Sequence, residues 1–508
     1  MKILFLAAEV APFVTVGGLS QVMSSLPRAL CASGNDVRLF TPRYGLINKY
    51  IDPKTFQKKK ASLHKIDVPI SHSWHSRKNK EIGGETFIKC TVSYFPRGKH
   101  EASIYFFENK EYYGLRENVF GYSDDHIRFA LFSKASLEWL LYLYKQKKWF
   151  PEVIHCHDWH TAYFIELARN DSRYQDILKR IPIVLTVHNF KYQGNVNFKY
   201  LEKKHKDDGK KPLEALNSPK LGNQNILKRG LKYADAINTV SPTHALEVLT
   251  PAYAEGLDEI LKKNKGKLSG ILNGLDIVKF NPSTDSIIKK RFSIKSFVNG
   301  RAINKRDLQR EFSLPIDDDV PLIAYSGRLA LQKGMDMMLK MLPHLLEERK
   351  NIQFIVLGTG NDEYRDRLIE LKKEYPDRIG LHLLSNFELP RKIFAGADML
   401  LVPSIFEPGG IVALEALRYG AIPIVRRTGG LGDIIQDFDP GTGKGNGFSF
   451  ERKDSWSLYA AIVEALTIYQ HKKLWRTLVS NALSCDFSWE QVAKEYIKWY
   501  RLVAKKHK

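Results

Sequence analysis

"VPSIFEPGGIVALEALRYGAIPIVRRTGGLGD", residues 402–433, decides the fold of its half of the chain. An apolar run, Met399 to Pro403, leads to Glu407 and the turn Pro408-Gly409-Gly410. An apolar helix starts at once and carries Glu415 two turns on. A second run, Ile422 to Val425, then ends in another glycine pair followed by helical spacing. Strand, helix, strand within so short a length implies parallel pairing, and continuous β-branched runs suit strands buried on both faces.

The same alternation extends in both directions. Further strand candidates are Ile3 to Ala8, Val37 to Thr41, Val153 to Cys156, Ile183 to His188, Ala236 to Val240, Leu322 to Ser326 and Ile352 to Leu357. Leu19, Val22, Met23, Leu26 and Leu30 follow helical spacing and stop at Ser33-Gly34, a plausible C-cap. Two such blocks predict two doubly wound, Rossmann-like α/β domains. The expected division is residues 1–267 and 268–485, with the lysine- and glycine-rich 261–270 at the boundary. A terminal helix over 486–508 is expected to cross back to the first domain.

At 508 residues the chain exceeds one ordinary core. Its 44% hydrophobic and 26% charged residues are those of a globular protein, and no run of 18 apolar residues predicts a membrane span. The opening MKILFLAAEV reads as a buried first strand because its apolar run ends at Glu9, so a cytoplasmic protein is expected. Four scattered cysteines form no CxxC pair, which fits a reducing compartment. The net charge of +22 comes from short lysine runs: Lys58 to Lys60, Lys145 to Lys148, Lys203 to Lys206, and the Lys505-Lys506-His507-Lys508 tail. No aromatic-basic stripe or recognition helix accompanies them, so they read as solvated surface rather than a site for nucleic acid or membrane.

Ligands of open parallel sheets bind beyond the carboxyl ends of the strands. Those ends are polar here. Gly17-Gly18 opens a helix and could aim amides at an anion; a simple tight turn is the alternative. "VIHCHDWHTA" crowds three histidines and Asp158 at one strand end, where a metal site is one reading, although no cysteine or carboxylate set completes it. "IVLTVHNFKYQG" ends a strand at His188-Asn189. "YSGRLALQKG" sets Arg328 and Lys333 five residues apart after a strand, a pair suited to a diphosphate. Glu407 and Glu415 place carboxylates at the two ends of a long ligand, and a sugar nucleotide has that shape.

Together "GGLSQV", "HDWHTA", "VHNFKYQG", "YAEGLDEILKKNKGKLSGILNGLD", "NKRDLQ", "GRLALQKGMD" and the opening stretch resemble the bacterial and plant glycogen/starch synthases, in one order nearly end to end. These are retaining glucosyltransferases of the GT-B type, with two Rossmann-like domains facing across a cleft. The resemblance implies elongation of an α-1,4-glucan (glycogen) from ADP-glucose or UDP-glucose, with no metal and no cofactor. It implies that Arg328 and Lys333 hold the diphosphate and Glu407 binds glucose hydroxyls. It also implies that His188 meets the donor glucose, that Asp158 lies towards the acceptor, and that Asn273 lines the site. Thr15, Gly17 and Gly18 would lie near the donor, with the Thr428, Gly429 and Gly430 amides close to glucose and phosphate.

Three positions depart from the family pattern. Thr15 stands where the family usually has lysine, Gly409 where it has cysteine, and Glu415 where many bacterial synthases have a non-acidic residue. Glu415 matches instead the wider Glu-x7-Glu glycosyltransferases, whose second carboxylate binds ribose hydroxyls. Two other readings compete: a non-catalytic glucan-binding relative, and a retaining GT-B transferase with a different acceptor.

Overall fold

The structure is a computed structural model and describes residues 1–45, 47, 62–70, 87–194, 221 and 223–507. Lys58 to Lys60, Lys203 to Lys206 and Lys508 lie outside the described residues.

The chain forms two compact units, the first comprising Met1–Val240, Ala245–Ile271 and Trp489–Lys508 and the second Ser241–His244 and Leu272–Ser488. The division falls after Ile271 instead of 267, and the terminal helix Trp489–His507 starts later than 486. The stretch 261–270, expected at the boundary, belongs to the first unit. It holds the end of the helix Asp258–Lys263 and a short strand whose Leu268 pairs with Ile237 at the edge of the first sheet.

In the first unit the strands in chain order are β1 (Lys2–Leu6), β2 (Asp36–Pro42), β3 (Ser62–Pro69), β4 (Phe87–Phe95), β5 (Ser103–Glu108), β6 (Val153–His157), β7 (Ile183–Val187), β8 (Ala236–Thr239) and β9 (Leu268–Gly270). Their order across the sheet is β3-β4-β5-β2-β1-β6-β7-β8-β9. β6 and β7 are buried at every residue, as the centre of a two-faced parallel sheet requires. β3, β4 and β5 form an antiparallel extension at one side, which the sequence reading did not expect. Trp489, Val492, Ala493, Tyr496, Trp499, Tyr500 and Val503 of the terminal helix complete this unit's core.

In the second unit β10 (Leu322–Ser326), β11 (Gln353–Leu357), β12 (Ile379–His382), β13 (Met399–Val402), β14 (Ile422–Arg426) and β15 (Phe448–Phe450) form a sheet ordered β12-β11-β10-β13-β14-β15. Each of its pairings is parallel. The helix Ile411–Tyr419 connects β13 to β14, and both strands are buried at every residue.

Candidate active site

Each unit gathers its polar residues at the carboxyl ends of adjacent strands. In the first unit these are β1, β6 and β7, with β1 and β7 flanking β6. Asp158 follows β6 with φ 57° and ψ −176°, a conformation that costs a non-glycine residue about 1–3 kcal/mol and persists only where the surroundings enforce it. It is the N-cap residue of the helix Trp159–Asn170, but its side chain makes no capping hydrogen bond. Its Oδ1 instead accepts the backbone N–H of His188 at 2.7 Å, tying the β6 end to the β7 end. Burial pushes the Asp158 carboxyl up to about 7, against the lowering effect of the His188 and Asn189 amides.

His188 is half-buried, and its Nε2 lies 3.1 Å from Nδ1 of His157. Burial lowers its pKa to about 4, so it is neutral at physiological pH. The crowded histidines of "VIHCHDWH" have separate structural partners. His155 is hydrogen-bonded to Tyr500 and Thr186, each at 2.7 Å, while His160 packs against Trp159 and Phe129. Among the described residues no group of three or more His, Cys, Asp or Glu converges as metal ligands would.

Gly17 and Gly18 open the helix Gly18–Ala32, but the Gly17 amide is not aimed at a ligand. Glu9, just past the end of β1 and 3% exposed, accepts both the Val16 N–H (2.9 Å) and the Gly17 N–H (3.0 Å) through Oε2. Burial raises the pKa of Glu9, with those two amides opposing and nearby Asp158 adding to the rise. The glycine loop is therefore held from inside the protein, and Thr15 sits exposed at its start.

In the second unit the candidate residues lie at the ends of β10, β13 and β14, with β13 between the other two. The chain leaves β10 through Arg328 and turns at Leu331–Lys333 into Gly334, whose φ is 78°. A Cβ on Gly334 would stand 2.0 Å from the Pro403 carbonyl oxygen, so only glycine lets this turn touch the end of β13. That approach brings Lys333 onto Glu407: the ammonium ion-pairs with Oε2, which also accepts from the Ser404 hydroxyl at 3.0 Å. The two loops are further knit by Ile405 N–H to the Gln332 carbonyl (2.8 Å) and by Gln332 to the Phe406 carbonyl (3.1 Å). Arg328 is exposed, and its guanidinium has no hydrogen-bond or ion-pair partner among the described residues. The glycines of "LGTG" are packing devices, since a Cβ on Gly358 or Gly360 would strike the Gly327 or Leu329 carbonyl.

Gly429 and Gly430 also differ from expectation. A Cβ on Gly429 would lie 2.2 Å from the Glu407 carbonyl, and the Gly430 N–H donates to the Glu407 and Pro408 carbonyls. The Gly430 amide therefore braces the Glu407 turn and is not available to a phosphate; Thr428 immediately precedes this turn of helix. Glu415 sits in mid-helix, its carboxyl pushed up to about 7 by burial, against the pull of Lys279 and Arg391. Asn273 is 4% exposed, and its Oδ1 has no hydrogen-bond partner among the described residues.

Sequence reading missed two supports. Glu9 could have been flagged as a lone acid closing the first apolar run. Arg426, last residue of β14, is buried and donates to the Ser404 carbonyl at 2.9 Å and to the Ile405 carbonyl, holding the strand end that carries Glu407. An arginine directly after a buried strand was its only sequence signal.

Residues 2–263 match the starch synthase catalytic domain, and residues 307–481 match the glycosyl transferases group 1 family. The chain belongs to the glycogen/starch synthase family. Glycogen synthases of Desulforamulus reducens and Bacillus cereus are 37% and 38% identical over 505 and 508 residues, covering 99% of this chain and 98% and 99% of theirs. The catalytic domain of starch synthase IV from Arabidopsis thaliana, solved bound to ADP and acarbose, superposes with a TM-score of 0.77 at 29% identity over 99% of both chains. Sucrose-phosphate synthase from Thermosynechococcus elongatus, 16% identical with a TM-score of 0.55 over 99% of this chain and 98% of that one, shares the fold. As a member of this family the chain is a glucosyltransferase with two Rossmann-like units of the GT-B type.

Proposed function

We propose that the chain transfers glucose, with retention, from ADP-glucose to the non-reducing end of an α-1,4-glucan such as glycogen. The observation that carries this reading is the ion pair of Lys333 with Glu407 beside the unpartnered Arg328. Two cations and one carboxylate at neighbouring strand ends suit a sugar diphosphate, with the cations on the phosphates and the carboxylate on the glucose hydroxyls.

As the bond from the glucose anomeric carbon to phosphate breaks, negative charge grows on the departing diphosphate. Lys333, held by Glu407, and Arg328 would stabilise that charge, and preorganised charge of this kind is the main catalytic resource when no protein nucleophile attacks. His188, its backbone fixed by Asp158, would contact the donor glucose. Glu415 would bind the ribose hydroxyls. The adenine nucleotide is favoured by the likeness to starch synthase IV, which was solved with ADP.

Incorporation of labelled glucose from ADP-glucose and from UDP-glucose into glycogen, side by side, tests this. Faster transfer from ADP-glucose is the expected result. A protein inert with both donors, yet retaining glycogen, would overturn the synthase reading.

A further inference from the structure

The histidine pair at the ends of β6 and β7 has one polar atom unaccounted for. His157 is fully buried, and its ring is held between neighbours: Phe5 stacks on it at 5.4 Å and 14°, and the His155 ring centroid lies 4.0 Å away. His155 is itself pinned by Tyr500 and Thr186. With the ring fixed, Nδ1 of His157 lies 3.1 Å from Nε2 of His188, while Nε2 of His157 is buried with no hydrogen-bond partner among the described residues.

Two neutral imidazoles in contact share a single proton along the line between them, because two facing N–H groups would repel and two facing lone pairs would not bond. If His188 donated, His157 would carry its own proton on Nε2 and bury an N–H without an acceptor. If His157 donates through Nδ1, only a lone pair is left unpartnered, and orphaned buried N–H groups are the rarer case in folded proteins. In the second arrangement the remaining proton of His188 sits on Nδ1.

We propose that His157 is a positioning residue that fixes His188 in the neutral tautomer protonated at Nδ1, so that His188 presents an N–H donor, not a lone pair, to a hydroxyl oxygen of the transferred glucose. This rests on the reading of His188 as a residue that meets the donor sugar. The tautomer itself can be read without catalysis.

Long-range proton–nitrogen correlation on the full chain labelled with 15N-histidine, the His188 signals assigned by their loss in His188→Gln, would report it. At pH 7.5 the expected pattern is a pyrrole-type Nδ1 and a pyridine-type Nε2 for His188, turning to averaged shifts in His157→Phe. His157→Asn, which keeps a hydrogen-bonding atom at the Nδ1 place, covers the case in which His157→Phe does not fold, and should retain more of the parent pattern. In transfer assays His157→Phe should lower kcat on the order of tenfold with little change in donor KM, and His157→Asn should recover part of it. A proton on Nε2 of His188 in the parent, averaged shifts in the parent, or an unchanged pattern in both variants would overturn the assignment. A parent that shows the expected pattern but transfers no glucose would instead fault the proposed function alone.

Discussion

Lys333 and Glu407, 74 residues apart in the chain, are joined in an ion pair between the loop after β10 and the loop after β13. Both side chains keep some exposure, 22% and 15%, so the pair remains open to a ligand. A pair this exposed adds at most about 1 kcal/mol to folding. Its value lies in holding a cation and a carboxylate at fixed places. Lys333→Ala should therefore lower turnover about a hundredfold or more, on the order of 3 kcal/mol of transition-state stabilisation, while changing the melting temperature little. Arg328→Ala should behave alike. Steady-state kinetics beside thermal melts check this, and near-parental transfer by Lys333→Ala would remove it from the clamp.

Gly334→Ala tests how the pair is built. Positive φ and the 2.0 Å approach to the Pro403 carbonyl act together, so the substitution should cost on the order of 2–4 kcal/mol. Turnover should fall with it, since the turn can no longer deliver Lys333 to Glu407. Denaturant midpoints and kcat, measured on one preparation, would show both losses or refute the link.

The pH dependence of Asp158 has a definite sign. Its folded carboxyl titrates near 7, above the ordinary aspartate value of 3.8, so it adds stability at acid pH that is lost as pH rises through 7. Asp158→Asn keeps an acceptor for the His188 amide, tolerates positive φ and carries no charge. The variant should melt higher than the parent at pH 8, by roughly 2–4 °C per kcal/mol recovered, and the gap should close towards pH 4. Parallel melting curves across that range would contradict the raised carboxyl.

Thr15 offers a gain of function. Glu9 already holds the next two amides, so the loop is preformed and a lysine at its start would not have to order it. Thr15→Lys should raise donor affinity or turnover through one charge-assisted contact of about 1.5–3 kcal/mol. Titration with ADP-glucose and ADP would separate the two.

The central parallel strands were legible in the sequence because burial on both faces leaves an unbroken apolar run, as in Ile183–Val187. The antiparallel β3, β4 and β5 were not. β4, FIKCTVSYF, alternates buried with partly exposed residues, and lysine and serine interrupt its apolar signal. The polar residues at the strand ends were legible, whereas the direction of their hydrogen bonds was not. Gly17 and Gly430 looked like free amides because a sequence shows that glycine permits close approach, but not what approaches. Glu9 and the Glu407 and Pro408 carbonyls fill those places. Asp158 could be picked as important, yet its hold on the His188 backbone depends on β6 and β7 being neighbours, which no local pattern states.

The helix Trp489–His507 completes the first unit although the whole of Leu272–Ser488 is made before it. On the ribosome the order of completion is thus the reverse of the order of emergence. Apart from Ser241–His244, the second unit is one continuous stretch and can fold as soon as it clears the exit tunnel. The first sheet, made earlier, waits with its Trp489, Tyr496 and Tyr500 seats open and His155 without its Tyr500 hydrogen bond. Exposed apolar surface on a waiting chain invites aggregation. A released chain ending at Ser488 should therefore display a finished second unit and a first one still open to protease.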